Sequence, residues 1–211
     1  IDLELLVLTL RSLGLGLIAA TLAVMAALLL SIAKRWKPKR WILAITFIAG
    51  IGYAIPGAVM ALGLQAFRAP PFGLAPIVIL IWGYSDRFLA VAKGGLDAAL
   101  ERLSPNLDEA ATGLGCRWPE VLRRIHLPLL KGPIAIGALL VFVDTLKELP
   151  LTFVLRPFDF DTLSVRIFQY ASDERMAESL LPSLMILALG MMASLALIPG
   201  LEKRANREIQ N

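Results

Sequence analysis

Cysteine, histidine and charge are scarce in this sequence of 211 residues. The single cysteine, Cys116, excludes an intrachain disulfide, and the single histidine, His126, cannot form a metal site alone. Charged residues make up 18% of the chain and hydrophobic residues 57%, whereas soluble domains have roughly 25% and 45–50%. A chain of this size has no interior large enough for that apolar surplus, so an ordinary soluble domain is excluded. Disorder and a nucleic-acid-binding arm are excluded as well, and we expect an all-α integral membrane protein with no nucleic-acid partner.

Patterns of catalytic chemistry are also missing from the sequence. It contains no nucleophile–base pair, no cluster of residues with metal-ligand spacing and no glycine-rich Walker sequence. We therefore expect that the chain is not an enzyme, does not hydrolyse ATP and binds no cofactor. An intramembrane enzyme would need paired catalytic residues at one depth, and only Asp144 and Glu148 approach that arrangement.

Long apolar segments predict five membrane-spanning helices within one transmembrane domain of residues 1–211. A helix that crosses the bilayer needs about 20 predominantly apolar residues. The segments that meet this need are 13–33, 41–67, 74–92, 132–149 and 179–201. Pro56 lies inside the second segment, where it removes a backbone donor, so we predict a kink there.

Basic residues are distributed unevenly around these segments and indicate the orientation. Most of them lie between the first two spans, between the third and fourth spans, and after the fifth. Because cytoplasmic loops carry an excess of Lys and Arg, these regions are predicted to face the cytoplasm. The N-terminus is then outside and the C-terminus cytoplasmic, and residues 150–178 face outside.

The cytoplasmic connection of residues 93–131 has its own predicted structure. Residues 94–103 read as a short amphipathic helix. Pro105 opens a second helix with Ser104 as its N-cap. A third helix begins at Trp118 after a glycine turn. This helix–turn–helix forms a projection that fits a groove on another protein.

A spaced pattern of residues lies in this connection. Glu109-Ala110-Ala111 is followed after three residues by Gly115 and, nine residues later, by Ile125-His126-Leu127-Pro128, which is expected to close the third helix. The pattern resembles the EAA motif of ABC-importer permeases, the membrane subunits of binding-protein-dependent uptake systems. A purely structural scaffold would not need it. The resemblance covers nearly the whole chain and implies the MetI-like arrangement of five to six transmembrane helices with a cytoplasmic coupling helix.

The resemblance also implies partners and roles for the residues of the motif. A cytoplasmic ABC ATPase dimer, which uses the ATP, would receive the coupling region. Glu109 would meet a basic residue of the ATPase, Ala110 and Ala111 would keep the docking face thin, and Gly115 would permit the turn. Arg123 and Arg124 would meet acidic groups of the partner or lipid phosphates, or remain solvated. An extracytoplasmic binding protein, a second permease half or subunit, and a bacterial cytoplasmic (inner) membrane complete the implied system.

Residues at the end of the fourth span and beyond it point to a branch of the family. Leu146-Lys147-Glu148-Leu149-Pro150 and the later Leu155-Arg156-Pro157-Phe158 are similar to ferric-iron permeases. The relatives of that branch include permeases for thiamine, polyamines and inorganic anions, which remain the alternatives. Ferric-type permeases often carry two homologous halves in one chain, and this sequence resembles one half, most like the second.

Charged residues lie within the predicted spans, among them Arg87, Asp144, Lys147 and Glu148. Charges inside a membrane are costly and by default suggest function, so we consider them candidates for the translocation path. Asp144 and Glu148 are four residues apart and are predicted to share a helix face. Their carboxylates suit a hard cation such as Fe(III), although no metal ligand is certain. A structural ion pair at a gate is the alternative.

Overall fold

The computed structural model describes the backbone of residues 3–209 and the side chains of residues 3–199. Within these bounds the chain is all-α, as predicted, and contains no strand. The α-helices are α1 (Leu3–Trp36), α2 (Arg40–Ile51), α3 (Gly57–Gln65), α4 (Pro76–Glu101), α5 (Pro105–Gly113), α6 (Trp118–Val121), α7 (Leu127–Leu146), α8 (Pro150–Leu155), α9 (Leu163–Ser172) and α10 (Met176–Ile209).

Three stretches of helix in the described chain are long and apolar enough to cross a membrane: Leu3–Trp36, Trp118–Leu146 and Met176–Pro199. They correspond to the predicted first, fourth and fifth spans. α4 contains all but the first two residues of the predicted third span and has 26 residues. Its length is about 39 Å, which exceeds the ~30 Å thickness of the hydrocarbon core.

The predicted second span is not one continuous helix. α2 ends at Ile51, the chain turns through residues 52–56, and α3 begins after Pro56. Proline offers no backbone N–H and its ring collides with the preceding helical turn, so the helix stops there. The predicted kink is therefore a complete break. α2 alone, with 12 residues, is about 18 Å long and too short to span the bilayer.

Helices α1, α4 and α7 pack against one another and form the core. Ala19, Ala23 and Ala27 of α1 are spaced four residues apart and are completely buried. Such a stripe of small residues lets helix axes approach closely. α7 approaches α4 in the same way, because a Cβ on Gly137 would lie 3.4 Å from the Cα of Ala92.

Helix α10 lies at the edge of this core and packs on α9 and α7. In the most apolar 18-residue stretch of α10, only 6% is buried inside the chain, whereas the corresponding share for α1 is 50%. An apolar helix face of this extent requires lipid tails or another protein surface to cover it.

The connection between α4 and α7 differs from its predicted layout at both ends. The predicted separate helix over 94–103 is wrong, because those residues up to Glu101 continue α4 without interruption. Leu96 and Leu100 are nevertheless buried, as the amphipathic pattern required. The connection proper is therefore residues 102–126.

Candidate functional site

Helix α5 is short, and its local sequence sets both ends. The Ser104 Oγ accepts a hydrogen bond of 3.3 Å from the backbone N–H of Asn106, and Pro105 occupies the first helical position. Beyond the other end, Gly115 has a φ of +86°, in the left-handed region that favours glycine. The predicted helix, glycine turn and following helix at Trp118 are confirmed.

The three residues at the centre of the motif do not share one face. Glu109 and Ala110 are exposed, whereas Ala111 is only 8% exposed. Successive helical residues are rotated by about 100°, so three in a row necessarily point in different directions. The prediction that Ala111 belongs to the thin docking face is therefore wrong. Leu114, at 86% exposure, extends the exposed surface beside Ala110.

The second half of the motif lies where α6 continues into α7. Arg123 and Arg124 are exposed, Ile125 and Leu127 are half-buried, and Pro128 is exposed. Arg123 and Arg124 are therefore accessible from outside the chain, and their predicted contacts with a partner or with lipid phosphates stay a prediction.

A π-helical turn joins α6 to α7, so the predicted closure of the helix at Leu127-Pro128 is wrong. The backbone N–H of Leu127 donates to the carbonyl of Leu122, five residues earlier. Pro128, which has no backbone N–H, follows directly after the π-helical turn as the second residue of α7. The chain therefore remains helical from Trp118 to Leu146.

Arg35 and His126, for which the sequence predicted no role, hold α5 to the transmembrane helices through Asp108. The Nε of Arg35, at the end of α1, donates to Oδ2 of Asp108 at 2.6 Å. The Nε2 of His126, in the π-helical turn, lies 2.7 Å from Oδ1 of the same carboxylate. An ionised carboxylate only accepts hydrogen bonds, so His126 is the donor. His126 is fully buried and Asp108 is 8% exposed. We call these three residues the Arg35 cluster.

The guanidinium of Arg35 also binds the end of α4. Its Nη1 donates to the carbonyl of Leu100 at 2.5 Å, and its Nη2 donates to the carbonyls of Leu103 at 3.1 Å and Ser104 at 3.2 Å. Carbonyls at a helix C-terminus lack intrahelical partners and carry partial negative charge. Arg35 therefore joins the ends of α1 and α4 to the start of α5.

The sequence points toward this cluster only once the structure has shown which face of α5 is buried. Asp108 lies three residues before Ala111 and hence on the inward face of α5. A buried acid needs a partner, because an unpaired buried charge is very costly. The sequence supplies the need for a partner but not its identity, since Arg35 is 73 residues away.

A second ionic contact ties the C-terminal end of α4 to α1. Asp97 Oδ2 lies 2.7 Å from the Nζ of Lys93 and 3.6 Å from the Nζ of Lys34. Burial alone would raise the pKa of Asp97. The hydrogen bond from Lys93 and the two nearby ammonium charges outweigh that effect and hold the pKa of this carboxyl below its usual value.

Among the four candidate path residues, the structure brings Arg87 and Glu148 together. The Nε of Arg87 lies 3.7 Å from Oε2 of Glu148, and both side chains are largely buried. Arg87 Nη1 also donates to the carbonyl of Ile55 at 2.5 Å. The pair therefore fills the break between α2 and α3, where the interrupted helix exposes backbone carbonyls.

Gly57, the first residue of α3, is what allows this close packing. A Cβ at Gly57 would lie 2.9 Å from Oε1 of Glu148 and 3.4 Å from Cζ of Arg87. The backbone N–H of Leu151 donates to that same Oε1 at 3.3 Å. Glu148 is thus held between α3, α4 and α8.

Asp144 and Lys147 form a separate pair, with 2.9 Å between Oδ1 and Nζ and with Lys147 mostly exposed. α7 ends at Leu146, so Glu148 lies beyond the helix. The prediction that Asp144 and Glu148 share a helix face is therefore wrong, because the helical spacing rule holds only within a helix.

The segment between α8 and α9 presents the most exposed aromatic residue of the described chain. Phe158 is 98% exposed in a turn where Asp159 has a φ of +57°. Arg156 and Arg166 pair with Asp161 beneath this turn.

No group of three or more His, Cys, Asp or Glu side chains that could hold a metal ion occurs in the described residues.

Comparison with protein families identifies a match over most of the chain. The family model for the binding-protein-dependent transport system inner membrane component matches residues 12–206. FbpB 2, an Fe(3+)-transport system permease protein of Haemophilus influenzae, is 30% identical over 136 residues, which cover 64% of this chain and 27% of that protein. The chain thus aligns with about a quarter of the length of this relative.

A second relative matches over a longer stretch. PhnV of Salmonella paratyphi A, named for 2-aminoethylphosphonate transport, is 26% identical over 204 residues, which cover 94% of this chain and 74% of that protein.

Two solved structures share the fold. The inward-facing MetNI methionine ABC transporter matches with a TM-score of 0.70, 16% identity and coverage of 93% of this chain and 95% of that one. An amino acid ABC transporter with histidines matches with a TM-score of 0.62, 20% identity and coverage of 94% and 91%. At these identities the likeness concerns the fold.

Proposed function

Since the chain belongs to the family of binding-protein-dependent transport system inner membrane components, we propose that it is the permease subunit of an ATP-driven importer that carries ferric iron. It would bind no cofactor, and a separate ATPase dimer would use the ATP. The observation that carries the coupling role is the exposed face of α5 and its turn, formed by Glu109, Ala110 and Leu114.

The docking of the ATPase follows from the shape of this face. Ala110 offers no bulk, Glu109 offers a carboxylate to a basic partner residue, and Arg123 and Arg124 flank the surface with positive charge. ATP binding would close the ATPase dimer and move α5. Paired permease halves would then open outward and accept substrate from the binding protein, and hydrolysis would reset them.

Charge reversal of Glu109 tests this role. The Glu109→Lys variant should insert normally into the membrane, yet lose substrate uptake while ATP hydrolysis continues. The matched control is Glu101→Lys, which reverses an exposed carboxylate on the same side of the membrane but outside α5. Equal uptake by wild type and Glu109→Lys at equal expression would exclude α5 as the coupling helix.

Ferric iron as substrate is supported by the relative from Haemophilus influenzae and by the sequence around Glu148. 2-Aminoethylphosphonate is the second candidate, because the relative named for it aligns with 94% of this chain. A phosphonate carries negative charge and would favour Arg87, whereas Fe(III) would favour carboxylates.

Uptake measurements separate these substrates. Cells that lack the gene are supplied with radiolabelled ferric iron, 2-aminoethylphosphonate, thiamine or putrescine, with and without the restored full-length gene. Iron uptake that depends on the gene supports the proposal. Gene-dependent uptake of another solute moves the substrate to that solute and leaves the importer role intact.

Arg87, Asp144, Lys147 and Glu148 remain the candidates for the translocation path. Arg87 and Glu148 neutralise each other beside the break in the second span, so the pair suits a gate that separates when the halves open. Asp144 and Lys147 lie closer to the surface and pair with each other. Substrate selection would rest mainly with the binding protein.

The proposed orientation places the N-terminus outside and the C-terminus in the cytoplasm of a bacterial inner membrane. Two exposed positions test it, Leu114 in the connection and Phe158 between α8 and α9. In a Cys116→Ser background, an impermeant thiol reagent added to intact cells should label Phe158→Cys and spare Leu114→Cys. The reverse pattern would invert the topology.

A further inference from the structure

Helix α5 touches the rest of the protein through very little buried surface. Asp108 and Ala111 are the buried residues of its nine. Ala111 offers one methyl group, whereas Asp108 uses both carboxylate oxygens in hydrogen bonds. A displacement of α5 therefore reaches the transmembrane helices chiefly through the Asp108 side chain.

The partners of Asp108 belong to separate transmembrane helices. Arg35 ends α1 and also binds the last carbonyls of α4. His126 precedes α7 and lies in the π-helical turn, where its ring contacts Trp36 at a centroid distance of 6.5 Å. One carboxylate thus connects α5 with the cytoplasmic ends of α1, α4 and α7, the three helices that form the core.

The chemistry of the contacts suits the transmission of force. Charge-assisted hydrogen bonds are shorter and stronger than neutral ones. The Arg35 side chain is 14% exposed and that of His126 1% exposed, so water competes little for these bonds. Apolar contacts at the same place would slide, because they are not directional.

We propose that the Arg35 cluster is the joint that transmits movement of α5 to α1, α4 and α7, with Arg35 and His126 as positioning residues for Asp108. The inference rests on the proposed function, because it assumes that an ATPase moves α5. It adds the path that the movement follows into the membrane domain.

The test uses the full-length permease assembled with its ATPase and binding protein in proteoliposomes. The measured quantity is substrate transported per ATP hydrolysed, with radiolabelled ferric iron as the probe and 2-aminoethylphosphonate in parallel. His126→Phe and Asp108→Asn should retain ATP hydrolysis while this ratio falls about tenfold, the factor expected for loss of a charge-assisted hydrogen bond. His126→Gln should return the ratio to within about twofold of wild type, since its amide can donate to Asp108.

A cross-linking measurement separates this inference from the proposed function. Ala110→Cys in a Cys116→Ser background should cross-link to the ATPase equally with and without the cluster variants. Absence of the cross-link in the otherwise unchanged protein would overturn the docking proposal itself. A normal cross-link with an unchanged transport ratio in His126→Phe and Asp108→Asn would overturn the joint alone.

The most conservative variant, Arg35→Lys, distinguishes a role of the cluster in transmission from a role in folding. Arg35→Lys keeps the charge but loses the forked geometry that reaches Asp108 and the α4 carbonyls together. It should assemble and show a reduced ratio. Failure of every variant to assemble, Arg35→Lys included, would make the cluster a requirement for folding and overturn its role in transmission.

Discussion

Gly57 and Glu148 lie so close that a methyl group on the glycine would stand 2.9 Å from the carboxylate Oε1. The contact joins the start of α3, just after the broken helix, to the residue between α7 and α8. Arg87 of α4 completes the arrangement by pairing with the same carboxylate. Three separate parts of the membrane domain therefore meet where the second span is interrupted.

Replacing Gly57 should disturb this meeting point. We expect Gly57→Ala to displace Glu148 and lower the free energy of unfolding by about 1–3 kcal/mol, as overpacking does. Thermal unfolding in detergent measures the effect. The control is Gly63→Ala in the same helix, where a Cβ would meet nothing within 4 Å. A loss of stability equal in the two variants would contradict the close contact.

Removing Arg87 and Glu148 together should cost less than the two separate removals added together. Glu148→Gln leaves the Arg87 charge buried without its partner, so we expect a loss of about 3–5 kcal/mol. The double variant Arg87→Met/Glu148→Gln should lose less than the sum of the single variants. Lys147→Met, at an exposed ion pair, should cost less than about 1 kcal/mol. Additive losses in this double-mutant cycle would show that the two residues do not interact.

The turn after α5 should depend on glycine at one position. Gly115 has a φ of +86°, and a side chain in left-handed backbone costs roughly 1–2 kcal/mol. Gly115→Ala should therefore lower the thermal stability and the transport per ATP, because the exposed face of α5 is repositioned. Gly113→Ala, two residues earlier and within the helix, should leave both unchanged or slightly raise the stability. Identical behaviour of the two variants would argue against a specific role for the turn.

The ion pairs of Asp97 predict a dependence of stability on pH. The pKa of Asp97 is lower in the folded than in the unfolded protein. The stabilisation is therefore complete above the unfolded pKa of about 3.9 and is lost as the pH falls through the lower folded value. Wild type should melt at a higher temperature than Asp97→Asn at pH 7, and the difference should vanish under strongly acidic conditions.

The exposed carboxylate of Glu109 provides the control for that measurement, because the described residues show no ion pair for it. Glu109→Gln should melt like wild type at pH 7. A difference between wild type and Asp97→Asn that persists unchanged in acid would assign the effect of Asp97 to packing rather than charge.

Short-range patterns predicted several elements correctly. Ser104 and Pro105 marked the start of α5, and Pro56 marked the interruption of the second span. These features depend on the backbone chemistry of a few adjacent residues, whose identities are read directly from the sequence. Where helices continue was less predictable. α4 runs on to Glu101, because burial of Leu96 and Leu100 against the core extends it.

By itself, the sequence determined the all-α membrane class and the position of the long connection between α4 and α7, since these follow from composition and periodicity. The motif in that connection was found through its resemblance to a family. Only the tertiary structure decided which charges meet. Arg35 pairs with Asp108, which lies 73 positions later in the chain. Glu148 pairs with Arg87 of α4 and does not share a helix face with Asp144. Buried charges require partners, but the choice among many basic residues depends on how helices distant in sequence pack together.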